Sequence, residues 1–389
     1  MKRQLLAEMR AELVHFGVSR VASGALSFAL FALITRWFPV DEAKSLYFFL
    51  FLAGFFLSAM RALATVSTGL LGHESQSRKL RKTSVAFAYV LCASVLVAPI
   101  ALWLLSGLRV PMWAAGSMVL VMLLWGLDAD ISRAILGLRS AVAPMTALGA
   151  TFAIISLSLF HSYQAALVAI LLQWLPLCAL NVYFAIRLRR IILRALHSII
   201  AERDMRFWGL LALAIFDGVI LNTQFFLAGQ VPDEVGQDTA IVMRIFASAL
   251  ILLPLINYWS NSQILVRFAD QLRLPIPLVY WFIALASTLF AGTGFIYFFT
   301  VLSGVWLGSE KFMALCMLLI GYITYAVSGR YHAAVSVRIL FYLSVLAGLN
   351  VFMIVYALGQ GMGFLSIAIV QALSLLVAAF LLSSSPQKL

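Results

Sequence analysis

Apolar runs of about twenty residues recur along this chain of 389 residues and constrain its fold more than any other feature. Membrane β-strands are about half as long and alternate in polarity, so these continuous runs predict helices. Because a lipid core offers the backbone no hydrogen-bond partners, each helix has to satisfy its own backbone. We predict an all-α integral membrane protein with about twelve transmembrane helices, near residues 14–37, 46–72, 84–105, 112–132, 141–160, 164–186, 206–229, 238–264, 277–302, 312–329, 338–358 and 362–383.

The composition excludes a soluble protein, because the hydrophobic content is 63% and the mean hydropathy is +1.03. No small-residue cleavage site follows the first apolar run, which indicates a retained first span and not a cleaved signal peptide. The three cysteines, Cys92, Cys178 and Cys316, all fall within apolar runs. They are expected to be buried free thiols and not a disulfide or a metal site.

The net charge of +12 follows the expected membrane topology. With a cytoplasmic N-terminus, twenty lysines and arginines fall on the inner side of the spans and only four on the outer side, namely Arg36, Lys44, Arg109 and Lys311. This asymmetry is the positive-inside pattern, so both termini are predicted to be cytoplasmic. The excess charge then serves topology and contact with anionic membrane lipids, and no nucleic-acid partner is expected.

A basic segment, residues 187–205, divides the predicted spans into six and six. Its cationic residues recur at helical spacing opposite an apolar stripe, which predicts an amphipathic helix. That helix either lies on the inner leaflet or extends the sixth span. We therefore expect an N-terminal six-helix bundle in residues 1–186, this cytoplasmic linker, and a C-terminal six-helix bundle in residues 206–389, with a central cavity between the bundles.

A weak internal repeat supports this division. Pro39-Val40-Asp41-Glu42 follows the first span, and Pro232-Asp233-Glu234 follows the seventh, about half a chain later. Because each half has six predicted spans, both halves begin on the same side of the membrane and form parallel repeats. Transporters built from such repeats bind substrate between the two halves.

Three arginines, Arg20, Arg61 and Arg244, lie inside predicted spans. A cation at the centre of a bilayer costs about 2.5–3.5 kcal/mol on insertion scales, so a retained one commonly faces a cavity. Arg61 is central in its span, whereas Arg20 and Arg244 lie nearer the inner and outer ends, where snorkelling remains an alternative. If all three face one cavity, they form a ladder that binds an anion such as phosphate.

Further polar residues accompany this ladder. Ser58 and Thr65 share the helix face of Arg61, although small residues also form helix-packing faces. In the seventh span, Asp217 and Gln224 share a face, and two roles for Asp217 are open. It is either a counter-ion to a buried arginine or the site of a coupling proton or Na⁺.

A charged cluster at the inner end of the fourth span consists of Asp128, Asp130 and Arg133. It is either a cytoplasmic gate that pairs across helices or a solvated helix end. The sequence contains no motif for catalysis or ATP binding, and its histidines lie at span ends or in loops. Transport would therefore be secondary or depend on a separate ATPase, and we expect no cofactor beyond a coupling H⁺ or Na⁺.

Two stretches carry a family resemblance. WFPVDEAKSLYFFLFLAGFF (Trp37–Phe56) and VPDEVGQDTAIVMRIFASALILLP (Val231–Pro254) resemble the turns into the second and eighth spans of the multidrug/oligosaccharidyl-lipid/polysaccharide (MOP) superfamily. The chain looks most like its Wzx-type branch of lipid-linked oligosaccharide flippases. The resemblance covers the whole chain but rests on architecture and short patches.

The resemblance implies a function and a site. Related lipid II flippases carry cavity arginines on spans 1, 2 and 8, which are the spans of Arg20, Arg61 and Arg244, so these three are expected to bind pyrophosphate. The chain is expected to lack the two additional C-terminal spans of those flippases, which argues against a peptidoglycan precursor.

We therefore expect a non-enzymatic flippase in the bacterial cytoplasmic membrane. Its substrate would be an undecaprenyl-pyrophosphate-linked oligosaccharide for O-antigen, capsule or exopolysaccharide, and a polysaccharide polymerase and other assembly proteins would be partners. The alternatives are a multidrug or cation antiporter of the same superfamily, a membrane enzyme of polysaccharide assembly such as a polymerase or ligase, and a membrane scaffold that transports nothing.

Overall fold

A computed structural model describes residues 2–50, 99, 110–125, 142–198, 233–253, 256, 269–331 and 337–383. Within these ranges the regular elements are helical, which confirms the predicted all-α class. The helices are α1 (Lys2–Trp37), α2 (Met112–Trp125), α3 (Val142–Leu159), α4 (Tyr163–Ser198), α5 (Asp233–Ala249), α6 (Ile276–Ser303), α7 (Ser309–Tyr331), α8 (Val337–Gly359) and α9 (Phe364–Ser383). A further helical segment covers residues 40–50, and a 3₁₀ turn (Leu250–Leu252) follows α5.

Four of the predicted spans agree closely with described helices. Those at 141–160, 277–302, 338–358 and 362–383 match α3, α6, α8 and α9 to within two residues at each end. Among the described residues, five helical stretches are long and apolar enough to cross a membrane, namely Tyr163–Arg187, Val235–Leu252, Ile276–Ser303, Ser309–Ser328 and Phe364–Ser383. The predicted spans at 46–72, 84–105 and 206–229 lie largely outside the described residues, so the total of twelve stays a prediction.

Two helices extend beyond what a bilayer requires. α1 and α4 each have 36 residues, about 54 Å at the rise of an α-helix, whereas a bilayer core is about 30 Å thick. The additional length is the basic lead in α1 and the first part of the basic linker in α4, which stays helical to Ser198. Of the two arrangements open for the linker, this continuity favours an extension of the sixth span.

The chain divides into two compact units. The middle unit is Asp41–Gly229, and the composite unit joins Met1–Val40 to Gln230–Leu389. α1 therefore belongs to the same unit as the C-terminal helices. The predicted division into 1–186 and 206–389 follows the chain, whereas the units follow contacts, and the two six-helix bundles stay a prediction.

In the middle unit, α4 packs against both α3 and α2. Gly149 of α3 lies so close to the backbone of Gln173 on α4 that a Cβ at this position would overlap the Gln173 carbonyl group. Asn181 of α4 donates from Nδ2 to the Leu124 carbonyl oxygen of α2 at 3.2 Å. Since helices in lipid gain little from burying apolar surface, such close backbone approaches and buried hydrogen bonds hold them together.

In the composite unit, α7 and α9 approach closely, and a Cβ on Gly321 would lie 3.0 Å from the carbonyl oxygen of Ala372. Asn350 of α8 donates from Nδ2 to Ser374 Oγ of α9 at 2.8 Å, in a buried position. Large apolar side chains such as Phe290 (80% exposed) and Phe380 (70% exposed) point outward. A surface of this kind suits lipid.

Candidate functional site at the crossing of α1 and α5

Two of the predicted site residues lie in described helices. Arg244 is in α5 with its side chain described, whereas Arg20 is placed in α1 by its backbone alone. The remaining predicted site residues lie outside the described residues and stay predictions: Ser58, Arg61, Thr65, Asp128, Asp130, Arg133, Asp217 and Gln224. The structure describes where the Arg20 backbone position and the Arg244 side chain lie within the composite unit.

The direction of α1 is set by its contacts with α6. Phe28 lies 5.0 Å from Phe295 between ring centroids. Further along both helices, Arg36 donates from Nη1 to the Leu302 carbonyl oxygen at 3.4 Å. Both contacts advance in the same direction along the chain, so α1 and α6 run parallel. The short connection 304–308 then returns the chain into α7, which runs antiparallel to α6.

The direction of α5 is set by its contacts with α7. Asp238 forms an ion pair with Lys311 at 2.6 Å. Two turns later, Phe246 packs edge-on against Tyr322, with 5.8 Å between ring centroids. α5 is thus parallel to α7 and antiparallel to α1. Because of these directions, the end of α1 at Arg36 and the start of α5 at Asp238 lie at the same end of the composite unit.

α1 crosses the end of α5 at Gly24. A Cβ on Gly24 would collide with the terminal Cδ1 methyl of Ile251 in the 3₁₀ turn. Arg20 lies four residues before Gly24, on the same side of α1, because a four-residue step returns close to the same helix face. The helical position of Arg20 is therefore on the face by which α1 meets α5.

Arg244 lies on the matching face of α5. Ile251 follows it by seven residues, which is about two helical turns. The residues that pack against other helices are on the opposite side: Phe246 contacts Tyr322, and the Cβ of Ala249 would be 3.6 Å from a Cβ on Gly292. Arg244 therefore points away from α6 and α7, toward the side where α1 crosses.

The Arg244 side chain is neither fully buried nor fully exposed. Its Nε is buried and has no hydrogen-bond partner among the described residues. A guanidinium group offers five donors in a planar fork that matches phosphate and carboxylate oxygens. An anion at this face would supply the acceptor that Nε lacks.

The two arginine positions lie on opposite sides of the crossing. Because α1 and α5 are antiparallel, Arg20 precedes Gly24 toward one end, whereas Arg244 precedes Ile251 toward the other. At about 1.5 Å per residue, Arg20 lies about 6 Å from the crossing and Arg244 about 10 Å from it along the helix axes. That the two side chains face one cavity, as the predicted ladder requires, stays a prediction.

Buried polar residues for which no role was predicted include Asn181, Asn350, Gln371 and Ser374. Asn350 and Ser374 connect α8 to α9, and Asn181 connects α4 to α2. The signal available in the sequence was a lone amide within an apolar run, which gives no periodic pattern. Within the described ranges, no three His, Cys, Asp or Glu side chains come close enough to hold a metal ion.

Solved structures of known transporters resemble this fold. The lipid II flippase MurJ in an inward closed conformation has a TM-score of 0.50 and 15% identity, and the match covers 95% of this chain and 86% of that one. A MATE protein in complex with MaL6 has a TM-score of 0.51 and 15% identity, covering 95% of this chain and 93% of that one.

The sequence itself matches no family model and no curated protein. Likeness at 15% identity shows the fold alone. The chain is therefore an all-α multi-pass membrane protein whose fold resembles those of the lipid II flippase MurJ and of a MATE protein.

Proposed function

We propose that this protein is a flippase that moves an undecaprenyl-pyrophosphate-linked oligosaccharide from the inner to the outer leaflet of a bacterial cytoplasmic membrane. The observation that carries the proposal is Arg244, whose buried Nε has no partner among the described residues and which lies on the α5 face that meets α1. Such a group attracts an anion, and the diphosphate is the anionic part of this substrate.

The mechanism assigns a step to each arginine. Arg20 lies nearer the basic lead of α1, so it meets the pyrophosphate first, from the inner side. Arg61 and then Arg244 receive it as the site is exposed to the outer side. Arginine suits this task because it stays charged when buried, whereas lysine loses its proton more readily. The oligosaccharide follows through the polar interior while the lipid tail remains in the bilayer.

Alternating access requires a substrate that binds the two conformations with different affinity. The arginines replace the water around the diphosphate, which removes most of the cost of taking its charge across the membrane. Asp217 is proposed to act as a counter-ion to a buried arginine or to bind the coupling ion, H⁺ or Na⁺. Asp128, Asp130 and Arg133 are proposed to close the cytoplasmic side.

The orientation has support in the composite unit. Arg36 and Lys311, two of the four cations predicted outside, lie at the same end of this unit, through their contacts with Leu302 and Asp238. Arg273 precedes α6 at the opposite end, where the positive-inside pattern expects a cation. On this basis we propose that both termini are cytoplasmic. A polysaccharide polymerase and other assembly proteins are proposed to receive the flipped product.

Charge distinguishes this proposal from a cation antiporter. The comparison with a MATE protein is as good as that with MurJ, so the fold does not decide between them. A cationic substrate needs buried carboxylates, whereas Arg244 would repel it, and the predicted spans hold one central acid, Asp217, against three arginines. The alternative of a membrane enzyme is less favoured, because the similar solved structures are those of a lipid II flippase and of a MATE protein.

The test is complementation of a strain that lacks its oligosaccharide flippase, with Arg244→Ala, Arg20→Ala, Arg61→Ala and Asp217→Asn. Surface glycan, lipid-linked precursor and membrane protein level are measured together. We expect the three arginine variants to insert normally, lose surface glycan and accumulate precursor, with partial activity for Arg244→Lys. Arg189→Ala, an exposed arginine of the α4 extension, is the matched control. Normal glycan in Arg244→Ala would refute the proposed site.

A further inference from the structure

The borders between the two compact units coincide with the two copies of the internal repeat. One border falls between Val40 and Asp41, at the start of the helical segment 40–50 and within the repeat stretch Pro39-Val40-Asp41-Glu42. The other falls between Gly229 and Gln230, just before Pro232-Asp233-Glu234. The chain thus passes from one unit to the other at equivalent stretches of the sequence repeat, and neither border is in the basic linker.

An aromatic cluster attaches α1 to α6. Phe28 and Phe31 of α1 have no exposed surface. Phe28 lies 5.0 Å from Phe295 and 6.0 Å from Phe299 between ring centroids, and Phe31 lies 6.1 Å from Phe299. Interlocked rings at these distances resist sliding, because any shift along the helix axis would open voids between them.

Two further contacts extend this attachment along α1. Near its end, Arg36 donates to the Leu302 carbonyl oxygen of α6 at 3.4 Å. Near its middle, Gly24 meets Ile251 after α5. From Gly24 to Arg36 is about 18 Å at the rise of an α-helix. α1 therefore contacts the composite unit at three positions along its length, two of them on α6 and one on the 3₁₀ turn that follows α5.

We infer that α1 moves together with the C-terminal helices during transport, and that the chain bends at residues 38–39, between α1 and the helical segment 40–50, and not at the basic linker. This inference rests on the alternating access of the proposed function, and on packing within the composite unit. One consequence is that Arg20 and Arg244 keep a constant spacing through the transport cycle. They then act as a fixed pair of sites, and the substrate passes between them without a change in their separation.

A crosslink between α1 and α6 tests the inference. In a variant whose native cysteines are replaced by alanine, Arg36→Cys and Leu302→Cys are introduced and joined with a short bismethanethiosulfonate reagent. The linked fraction is measured by mass spectrometry of the joined peptides. Flipping of the lipid-linked oligosaccharide in proteoliposomes is expected to stay within about two-fold of the reduced form, because a bond within one moving body does not oppose its motion.

The matched control links Asp238→Cys to Lys311→Cys, at the same end of the composite unit but between α5 and α7. If the α1–α6 bond stops flipping while the α5–α7 bond does not, α1 moves relative to α6 and the inference is wrong. Reversal of the block by reductant would show that the bond, and not the substitutions, caused it.

A second measurement does not depend on the substrate. Protease sites are placed at residues 38–41 and 229–231 of the full-length protein, which carries a C-terminal tag. After cleavage in membranes, detergent is raised until the 41–229 fragment separates from the tagged fragment. The 1–37 fragment is expected to stay with the tagged fragment, and its departure would refute the inference. If reduced protein fails to flip the oligosaccharide, the proposed function fails and this measurement alone decides the placement of α1.

Discussion

Gly24 of α1 lies directly against the terminal methyl of Ile251, and this contact fixes the relative heights of two arginines. Because the helices are antiparallel, Arg20 and Arg244 are about 16 Å apart along the axis, on either side of the crossing. One bound diphosphate is smaller than this distance. For the proposed flippase, this spacing implies consecutive binding, with the anion passing from one position to the other.

Enlarging Gly24 should separate α1 from α5. We expect Gly24→Leu to destabilise the protein by about 1–3 kcal/mol, as overpacking does elsewhere, and to lower flipping. Gly24→Ala should have a smaller effect, because the obstructing atom is the flexible end of Ile251. Unfolding midpoints in detergent micelles and flipping in proteoliposomes measure the two effects.

The partner substitution Ile251→Ala provides the control for Gly24. In the double variant with Gly24→Leu, the removed side chain makes room for the added one, and part of the lost stability should return. A coupling energy of about 0.5–3 kcal/mol is typical of residues in contact. Strictly additive effects of the two substitutions would contradict the crossing.

The Arg244 side chain is expected to lower the stability of the folded protein and to be necessary for transport. Its Nε is buried without a partner among the described residues, and a cation deep in a membrane protein carries a desolvation cost. Arg244→Leu is therefore expected to leave stability unchanged or raise it by about 1 kcal/mol, while flipping is lost. A matched decline in stability and transport would instead indicate that Arg244 has a structural partner.

The spans were predictable because the apolar runs are long and end at charged or turn residues. α6 begins and ends within one residue of the predicted span at 277–302. Helical continuity from Tyr163 to Ser198 also follows from local pattern, since basic and apolar stripes alternate at helical spacing beyond Arg187. Both features depend on residues close together in sequence.

The attachment of α1 was not predictable, because it depends on rings more than 260 residues apart, such as Phe28 and Phe295. In an apolar run, a phenylalanine that packs on a helix resembles one that faces lipid. The candidate site could be predicted only in part. A buried arginine is conspicuous in sequence, but the face it occupies on α5 depends on which side packs against α7.

The hydrogen bond that Asn350 donates to Ser374 is expected to make a small contribution to the free energy of unfolding. Ser374 accepts from Asn350 Nδ2 at 2.8 Å and donates to the Val370 carbonyl oxygen at 2.9 Å, so it keeps one partner when Asn350 is removed. Polar bonds between membrane helices average about 0.6 kcal/mol in double-mutant cycles. We expect a coupling of that size from Asn350→Ala, Ser374→Ala and the double variant, measured by unfolding in mixed micelles. A coupling near zero would show that the two side chains do not interact.

Gly149 should be the most sensitive small residue of the middle unit. A Cβ at this position would overlap the Gln173 carbonyl group, and backbone cannot rotate away as a side chain can. Gly149→Ala is therefore expected to destabilise the pairing of α3 with α4 by about 1–3 kcal/mol. Gly116→Ala on α2 is the matched control, because a Cβ there meets nothing within 4 Å, and it should be neutral or stabilise the helix by up to about 1 kcal/mol. Thermal unfolding in micelles and the level of inserted protein measure both variants. Equal stability of the two would mean that α3 and α4 are farther apart than this contact requires.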